Sequence, residues 1–214
     1  MTAPVAAWTA RLGLALWVVH GAAAQSAPQG LLYKHLQAFE AEAKFTPQTR
    51  KERLHAYLLS VAGPASLVAE SGAAGLSQAL DSPWQWGQGI GGYGRRFAND
   101  LAYNGVRCTL TYGSSTLLHE DDRYFASEQR GGWPRVRHAL ASVFTAHKSD
   151  GRAVFATSSA VGIVGASLIS RAWSPQSWQT PGGVAHSVGI SVAGAAGFNL
   201  AREFLPEILH RTHN

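Results

Sequence analysis

The sequence predicts an all-α fold, a compact helical bundle of about six to seven helices. Three observations support this prediction. Apolar residues recur at the three- and four-residue spacing of a helix face. Proline and glycine interrupt these segments at intervals that suit helices of ordinary length. Small residues also recur at every fourth position, so each helix has one face with little side-chain volume.

The first helices are expected before residue 120. Pro47, which follows Thr46, and Pro64 each suit the first turn of a helix, where the missing N–H of proline costs no hydrogen bond. Asp81-Ser82-Pro83 ends a helix, and a loop rich in tryptophan and glycine follows at Trp84–Gly94. The expected helices are Leu31–Lys44, Pro47–Ala62, Pro64–Leu80 and Arg95–His119.

Further helices are expected after a break at Gly131-Gly132. Pro134 opens the first of them, and a turn at Lys148–Gly151 separates it from the second. Ser174-Pro175 ends the second, and another loop rich in tryptophan and glycine leads to the last helix. The expected helices are Pro134–His147, Ala153–Trp173 and Val184–Leu205.

A constant offset relates two parts of the sequence. Each of the positions Ser82, Pro83, Trp86, Gly91, Ala74 and Leu76 has an identical residue 92 positions later, at Ser174, Pro175, Trp178, Gly183, Ala166 and Leu168. A tandem duplication of a three-helix unit, with halves at 46–130 and 133–210, would explain the offset.

Stripes of small residues lie along the expected helices. They are Ala65, Ala69, Ala73 and Ser77; Gly94, Ala98 and Ala102; Ser158, Gly162, Ala166 and Ser170; and Ala185, Gly189, Ala193, Gly197 and Ala201. Such stripes let helix backbones approach closely, either in a water-soluble bundle or in lipid. Val154–Ser170 and Val184–Ala201 carry no Lys, Arg, Asp or Glu, which leaves both environments open.

The first 24 residues resemble a secretory signal peptide. Arg11 precedes the apolar run Leu12–Val19, and the small residues Ala22–Ala24 follow it. The apolar run is shorter than the roughly 20 residues that cross a bilayer. We therefore expect cleavage after Ala24, a single helical domain at 25–214, and export to the periplasm or to an envelope location associated with the outer membrane.

The composition limits the partners that can be expected. The chain has a net charge of +5, and its basic residues are scattered rather than clustered. This distribution favours weak attraction to membrane lipid over binding of nucleic acid. Cys108 is the single cysteine, so no intrachain disulfide is expected. No cofactor is expected, and the oligomeric state is left open.

The densest polar cluster is His119-Glu120-Asp121-Asp122, at the expected end of a long helix. His119, Glu120 and Asp121 could supply an acid and a base, and His119, Glu120 and Asp122 could bind a metal ion. Adjacent residues point in different directions around a helix, however, and only positions three or four apart share a face. The structural alternative is a polar helix terminus whose His favours the negative end of the helix dipole.

A glycine-rich segment precedes the long helix and could bind an anion. Free backbone N–H groups at a helix start attract phosphate, and basic side chains strengthen such a site. The candidate residues for an anion or a lipid headgroup are Gly91, Gly92, Gly94, Arg95 and Arg96.

Charged residues also occur inside segments that are otherwise apolar or small. An unpaired charge in such a place is costly, so these residues are expected to form ion pairs between helices. The candidates are Arg107, Arg123, Glu203 and Glu207, and the pairing we expect joins Arg123 to Glu203 or Glu207.

The motif Leu118-His119-Glu120-Asp121, with Arg123-Tyr124 after it, resembles a group of uncharacterised exported bacterial helical proteins. The segment Gly92–Phe97 is similar to the same group. The resemblance spans roughly 63–208 and implies export and a helical fold. It implies no activity.

Two classes of function are consistent with these patterns. The first is a non-enzymatic cell-envelope protein that associates with a membrane or binds lipid, favoured by the small-residue stripes. The second is a hydrolase or metal-dependent enzyme centred on His119, Glu120, Asp121 and Asp122.

Overall fold

Two antiparallel helical segments form the frame of the fold in the computed structural model, which describes residues 45–212. The first segment consists of α1 (Arg50–Ala62) and α2 (Pro64–Ala79), and the second is α3 (Gly89–Leu118). The predicted signal peptide and the predicted helix Leu31–Lys44 lie outside the described residues.

The starts of these helices follow from local chemistry. Thr49 caps α1, since its side chain accepts from the N–H of Glu52 and the Glu52 carboxylate accepts from the N–H of Thr49. The predicted start at Thr46-Pro47 is therefore wrong by a few residues. Pro64 occupies the first turn of α2, as predicted.

Helix α3 begins at Gly89, whereas the sequence indicated a loop as far as Gly94. The physical reason is the tight contact at Gly92. A Cβ atom there would lie 2.3 Å from the carbonyl oxygen of Gly87, so only glycine lets the preceding turn fold back against the first turn of the helix.

The fold is mostly helical, but the prediction of an all-α bundle of six to seven helices is wrong between residues 119 and 155. Here β1 (Glu120–Asp121), β2 (Thr145–Lys148) and β3 (Ala153–Phe155) form an antiparallel three-stranded sheet. Glu120 pairs with Lys148, and Thr145 pairs with Phe155.

The sheet shortens two predicted helices. Helix α4 (Gly132–Ala141) ends before the predicted His147, and α5 (Thr157–Ile169) begins after the predicted Ala153. The turn between them, predicted at Lys148–Gly151, is tight enough to join two strands, because Gly151 adopts a φ of 81°. The neighbouring residues therefore pair as a hairpin instead of continuing the helices.

Helix α6 (Pro181–Thr212) completes the bundle. Its side chains contact α5 and α3, where Ser187 bonds to Ser167 and Ser191 bonds to Tyr103. Nearer its carboxyl end, Asn199 bonds to the carbonyl oxygen of Ala139 in α4. Along its middle, pairs of inward-facing residues alternate with pairs of exposed residues.

Only some of the small-residue stripes mediate packing. The stripe of α5 is buried against α3, and a Cβ atom on Gly162 would lie 1.9 Å from Thr111 Oγ1. The stripes of α3 and α6 face outward instead, and a Cβ atom on Gly189 would meet nothing within 4 Å. Close backbone approach along a stripe is therefore found at Gly162 of α5 and not at Gly189 of α6.

The offset of 92 residues recurs in the architecture. A 3-10 turn at Trp84–Trp86 precedes α3, and another at Gln176–Trp178 precedes α6, so turns and helix starts keep the same offset. Ala74 and Ala166 are both fully buried. The offset relates α2–α3 to α5–α6, whereas the region that would match α1 contains strands. The elements that keep the offset in the described residues are thus a helix, a 3-10 turn and a second helix.

The interior of the described residues is polar and small. The buried residues include Ala74, Ala139, Ala166, Arg96, Asn104, Ser115, Glu120, Ser158, Ser167 and Glu203. Many large apolar side chains lie at the surface, among them Leu58, Val68, Ile90, Leu117, Val164, Leu168 and Ile190. Water-soluble domains show the opposite preference, with Leu, Ile, Val and Phe dominating the interior.

Candidate functional site

The predicted His-Glu-Asp-Asp cluster lies at the end of α3, and its side chains diverge. His119 is exposed and adopts the left-handed conformation (φ 54°) that ends the helix. Glu120 is buried and accepts from the backbone N–H of Ser158 at 2.8 Å. Asp122 accepts from the hydroxyl of Ser159 at 3.1 Å.

Asp121, the remaining acid of the cluster, also has a partner within the protein. Asp121 forms an ion pair with Arg123 at 2.7 Å. Within residues 45–212, no group of three or more His, Cys, Asp or Glu residues is arranged to hold a metal ion. The metal set proposed from sequence, His119, Glu120 and Asp122, is thus not brought together.

An open cleft of about 190 Å³ lies between α1, α3 and this cluster. Arg53, Arg107, Tyr57 and Tyr112 line it together with the acids. Arg53 donates to Ser115 Oγ at 2.9 Å and to the carbonyl oxygen of Glu120 at 3.0 Å. These bonds tie α1 to the end of α3, which gives Arg53 a structural role in the cleft.

Cys108 also borders the cleft but is a poor nucleophile. Burial raises the pKa of its thiol, and the nearby Arg107 opposes this shift only in part. The thiol therefore stays protonated at neutral pH, whereas the thiolate is the reactive form. Arg107 donates to Asn104 Oδ1 at 2.7 Å instead of to one of the carboxylates expected from the sequence.

Glu203 is the centre of the ion-pair network, although its partner differs from the prediction. Arg135 Nε donates to Glu203 Oε1 at 2.7 Å, and Arg135 Nη1 donates to Glu207 Oε2 at 2.9 Å. Arg123 pairs with Asp121 instead. The expected pairing of Arg123 with Glu203 or Glu207 is therefore replaced by one with Arg135, because the Arg123 guanidinium is directed at Asp121 and α4 places Arg135 beside this part of α6.

Two further groups donate hydrogen bonds to the Glu203 carboxylate. The hydroxyl of buried Tyr124 and the backbone N–H of Ser127 both donate to Oε2. Burial, and then the bond to Glu203, raise the pKa of the Tyr124 hydroxyl, so it remains a donor across the physiological range. Sequence reasoning missed Arg135 and Tyr124, since nothing in their local pattern identifies a partner in α6.

Replacing Glu203 by alanine is expected to destabilise the protein by about 2 kcal/mol, because the buried Tyr124 hydroxyl and the Ser127 N–H lose their acceptor. Glu207→Ala is the matched control. It removes the more exposed of the two carboxylates that Arg135 contacts, and is expected to cost well under 1 kcal/mol. Thermal unfolding of both variants tests this difference. Equal melting temperatures would show that the Glu203 network contributes little.

The glycine-rich candidate site divides into a structural and a solvent-facing part. Arg96 is 1% exposed, and its guanidinium donates to the carbonyl oxygens of Ser82, Pro83 and Gly87 at 2.9, 3.0 and 2.7 Å. Its donors are thus directed at the turn before α3 and not at a ligand. Of the two arginines, only Arg95 has an exposed position.

The surface formed by the two 3-10 turns is the second candidate functional site. The turns Trp84–Trp86 and Gln176–Trp178 contact each other through a bond of 2.5 Å from Gln85 Nε2 to Ser177 Oγ. Gly91 and Gly94 are exposed beside the first turn, and Gly92 is buried beneath it. We call this region, residues 82–95 and 173–180, the tryptophan tip.

Comparison with known proteins gives no further assignment, since no family model, no curated protein and no solved structure matches the chain.

Proposed function

We propose that the protein is a non-enzymatic helical protein of the cell envelope that associates with a membrane through its apolar outer surface. The observation that carries this proposal is the inverted distribution of side chains. Serines, Arg96 and Glu203 are buried, while many of the large aliphatic side chains are exposed. Contact between these side chains and lipid costs little free energy, whereas their contact with water is unfavourable.

Helix α6 supports the proposal by its length and composition. The segment Pro181–Ile208 is long and apolar enough to cross a bilayer, and no residue of its most apolar window is buried. Its inward face is held by hydroxyl groups such as those of Ser187 and Ser191, as is common between helices in lipid.

The distribution of charge gives a second line of support. Helix α5 carries no charged residue, and α6 carries none before Arg202. Charged groups collect instead near the sheet and the start of α1, at Arg50, Lys51, Asp121, Lys148 and Arg152. The uncharged stretches of α5 and α6 suit contact with a bilayer, whereas α2 and α3 carry Glu70, Asp100 and Arg107 along their length.

Fractionation of cells that express the full chain tests the proposal. We expect the protein to remain in the membrane pellet after a high-salt wash and after an alkaline wash, because apolar contact resists both. Flotation of the pellet with lipid in a density gradient separates membrane association from aggregation. Release into the soluble fraction without any wash would contradict the proposal.

A further inference from the structure

We infer that the tryptophan tip is the element that enters the membrane interface, with Trp84, Ile90 and Trp173 at the boundary of headgroups and acyl chains and Arg95 at the phosphates of anionic lipid. This inference rests on the proposed membrane association and assigns it a place in the fold.

Exposure of the apolar groups at the tip is the first argument. Trp84, in the turn before α3, is 72% exposed, and Ile90, in the first turn of α3, is 93% exposed. Trp173, which precedes the second turn, is 39% exposed. Tryptophan combines a large apolar ring with an N–H donor, which is why it concentrates where lipid meets water.

The second argument is that the two turns form one surface. The bond between Gln85 and Ser177 joins the turns directly. Trp173 Nε1 donates to Asn99 Oδ1 at 3.1 Å, which fixes this indole, just before the second turn, against α3. The two short loops are thus joined to each other and to α3.

Rigidity of the tip is the third argument. Arg96 holds the first turn through the carbonyl oxygens of Ser82, Pro83 and Gly87. Around the second turn, Arg171 donates to the carbonyl oxygen of Gln179. The side-chain amide of Gln179 in turn donates to the carbonyl oxygen of Ser174 at 2.8 Å. A surface fixed in advance loses little conformational entropy when it meets lipid.

Charge complementarity is the fourth argument. Arg95 lies at the exposed start of α3, and its Nη1 reaches the carbonyl oxygen of Trp86 at 3.3 Å. The tip itself contains no acid, and Asp81, which directly precedes it, accepts from Gln88 Nε2 at 2.6 Å and lies 3.5 Å from the Arg96 guanidinium. Because Arg96 offsets the charge of Asp81, Arg95 gives the tip a positive surface that suits phosphate.

Quenching of tryptophan fluorescence by brominated phosphatidylcholine tests which part of the protein enters lipid. The full-length protein is mixed with vesicles of phosphatidylcholine and phosphatidylglycerol that contain the brominated lipid. Trp84→Phe removes one reporter from the tip. Trp133→Phe is the matched control, since Trp133 is 70% exposed but lies at the start of α4, which packs near the carboxyl end of α6.

We expect Trp84→Phe to remove at least twice as much of the quenched signal as Trp133→Phe, with both variants bound to vesicles like the parent. A larger loss for Trp133→Phe, or equal losses, would overturn the tip as the point of entry while leaving membrane association intact. Failure of the parent to bind any vesicle would overturn the proposed function itself.

The contact between Arg95 and lipid phosphate is tested with vesicles that contain or lack phosphatidylglycerol. Arg95→Gln is expected to weaken partitioning into anionic vesicles about fivefold and to leave partitioning into neutral vesicles unchanged, since one basic group near an anionic surface accounts for a change of that size. Inorganic phosphate at millimolar concentration should not compete, because the contact is to a lipid surface. Competition by free phosphate would instead indicate a soluble phosphate ligand, and an unchanged Arg95→Gln variant would overturn the phosphate contact.

Discussion

Replacing Arg96 by alanine is expected to lower the melting temperature by about 10 °C, the largest effect of any single substitution considered for this protein. The guanidinium is buried and bonds to the carbonyl oxygens of Ser82, Pro83 and Gly87, as well as to the side chain of Gln78. Its loss removes a donor from each of these acceptors, and the Pro83 carbonyl oxygen keeps another in the N–H of Trp86, so we expect a cost of about 4 kcal/mol in total.

Arg95→Ala is the matched control for Arg96→Ala, because it removes the same side chain from the adjacent, exposed position. We expect its melting temperature to lie within about 2 °C of the parent, as is usual for exposed substitutions. The measurement is thermal unfolding followed by circular dichroism, with all proteins in the same detergent. Similar losses for the two variants would mean that burial of Arg96 does not stabilise the first turn.

Replacing Gly162 by leucine is expected to destabilise the protein by about 3 kcal/mol or more. A Cβ atom at this position would lie 1.9 Å from Thr111 Oγ1 and 3.0 Å from the carbonyl oxygen of Arg107. One of these neighbours is backbone in the middle of α3, so α5 has to move away from α3 to admit any side chain.

Gly189→Leu makes the same substitution in the stripe of α6, where a Cβ atom meets nothing within 4 Å. We expect it to change the free energy of unfolding little, and in the direction of stability, because leucine is a better helix former than glycine. Denaturation of the two variants under the same conditions measures the contrast. A large loss for Gly189→Leu would indicate that the outward stripe is packed after all.

The sequence was most informative where structure depends on neighbouring residues. Pro64 marks the start of α2, and Ser82-Pro83 marks the end of the same helix, because proline restricts its own backbone and that of the preceding residue. Serine and glycine at four-residue spacing likewise identified the face of α5 that packs on α3.

Features that depend on distant residues were not predictable in this way. Strands β2 and β3 consist of a few residues that suit a helix as well, and they are strands because Lys148 meets Glu120 of β1. The charge of Glu203 inside a small-residue helix signalled a partner, but its identity as Arg135 follows only from the packing of α4 on α6. Spacing also cannot predict which small-residue stripes are buried and which are exposed, because the buried and the exposed stripes have the same spacing.

The polar, small-residue interior has a consequence for the thermodynamics of the fold. The heat capacity increment of unfolding grows with the apolar surface that unfolding exposes and falls with the polar surface. Residues such as Ser158, Ser167 and Arg96 contribute polar surface from the interior, while many of the large aliphatic side chains are exposed already in the folded state. We therefore expect an increment per residue smaller than the usual value of about 12–15 cal/mol/K. A small increment flattens the curve of stability against temperature, so we expect the stability of this bundle to vary little over a wide range, which calorimetry would measure.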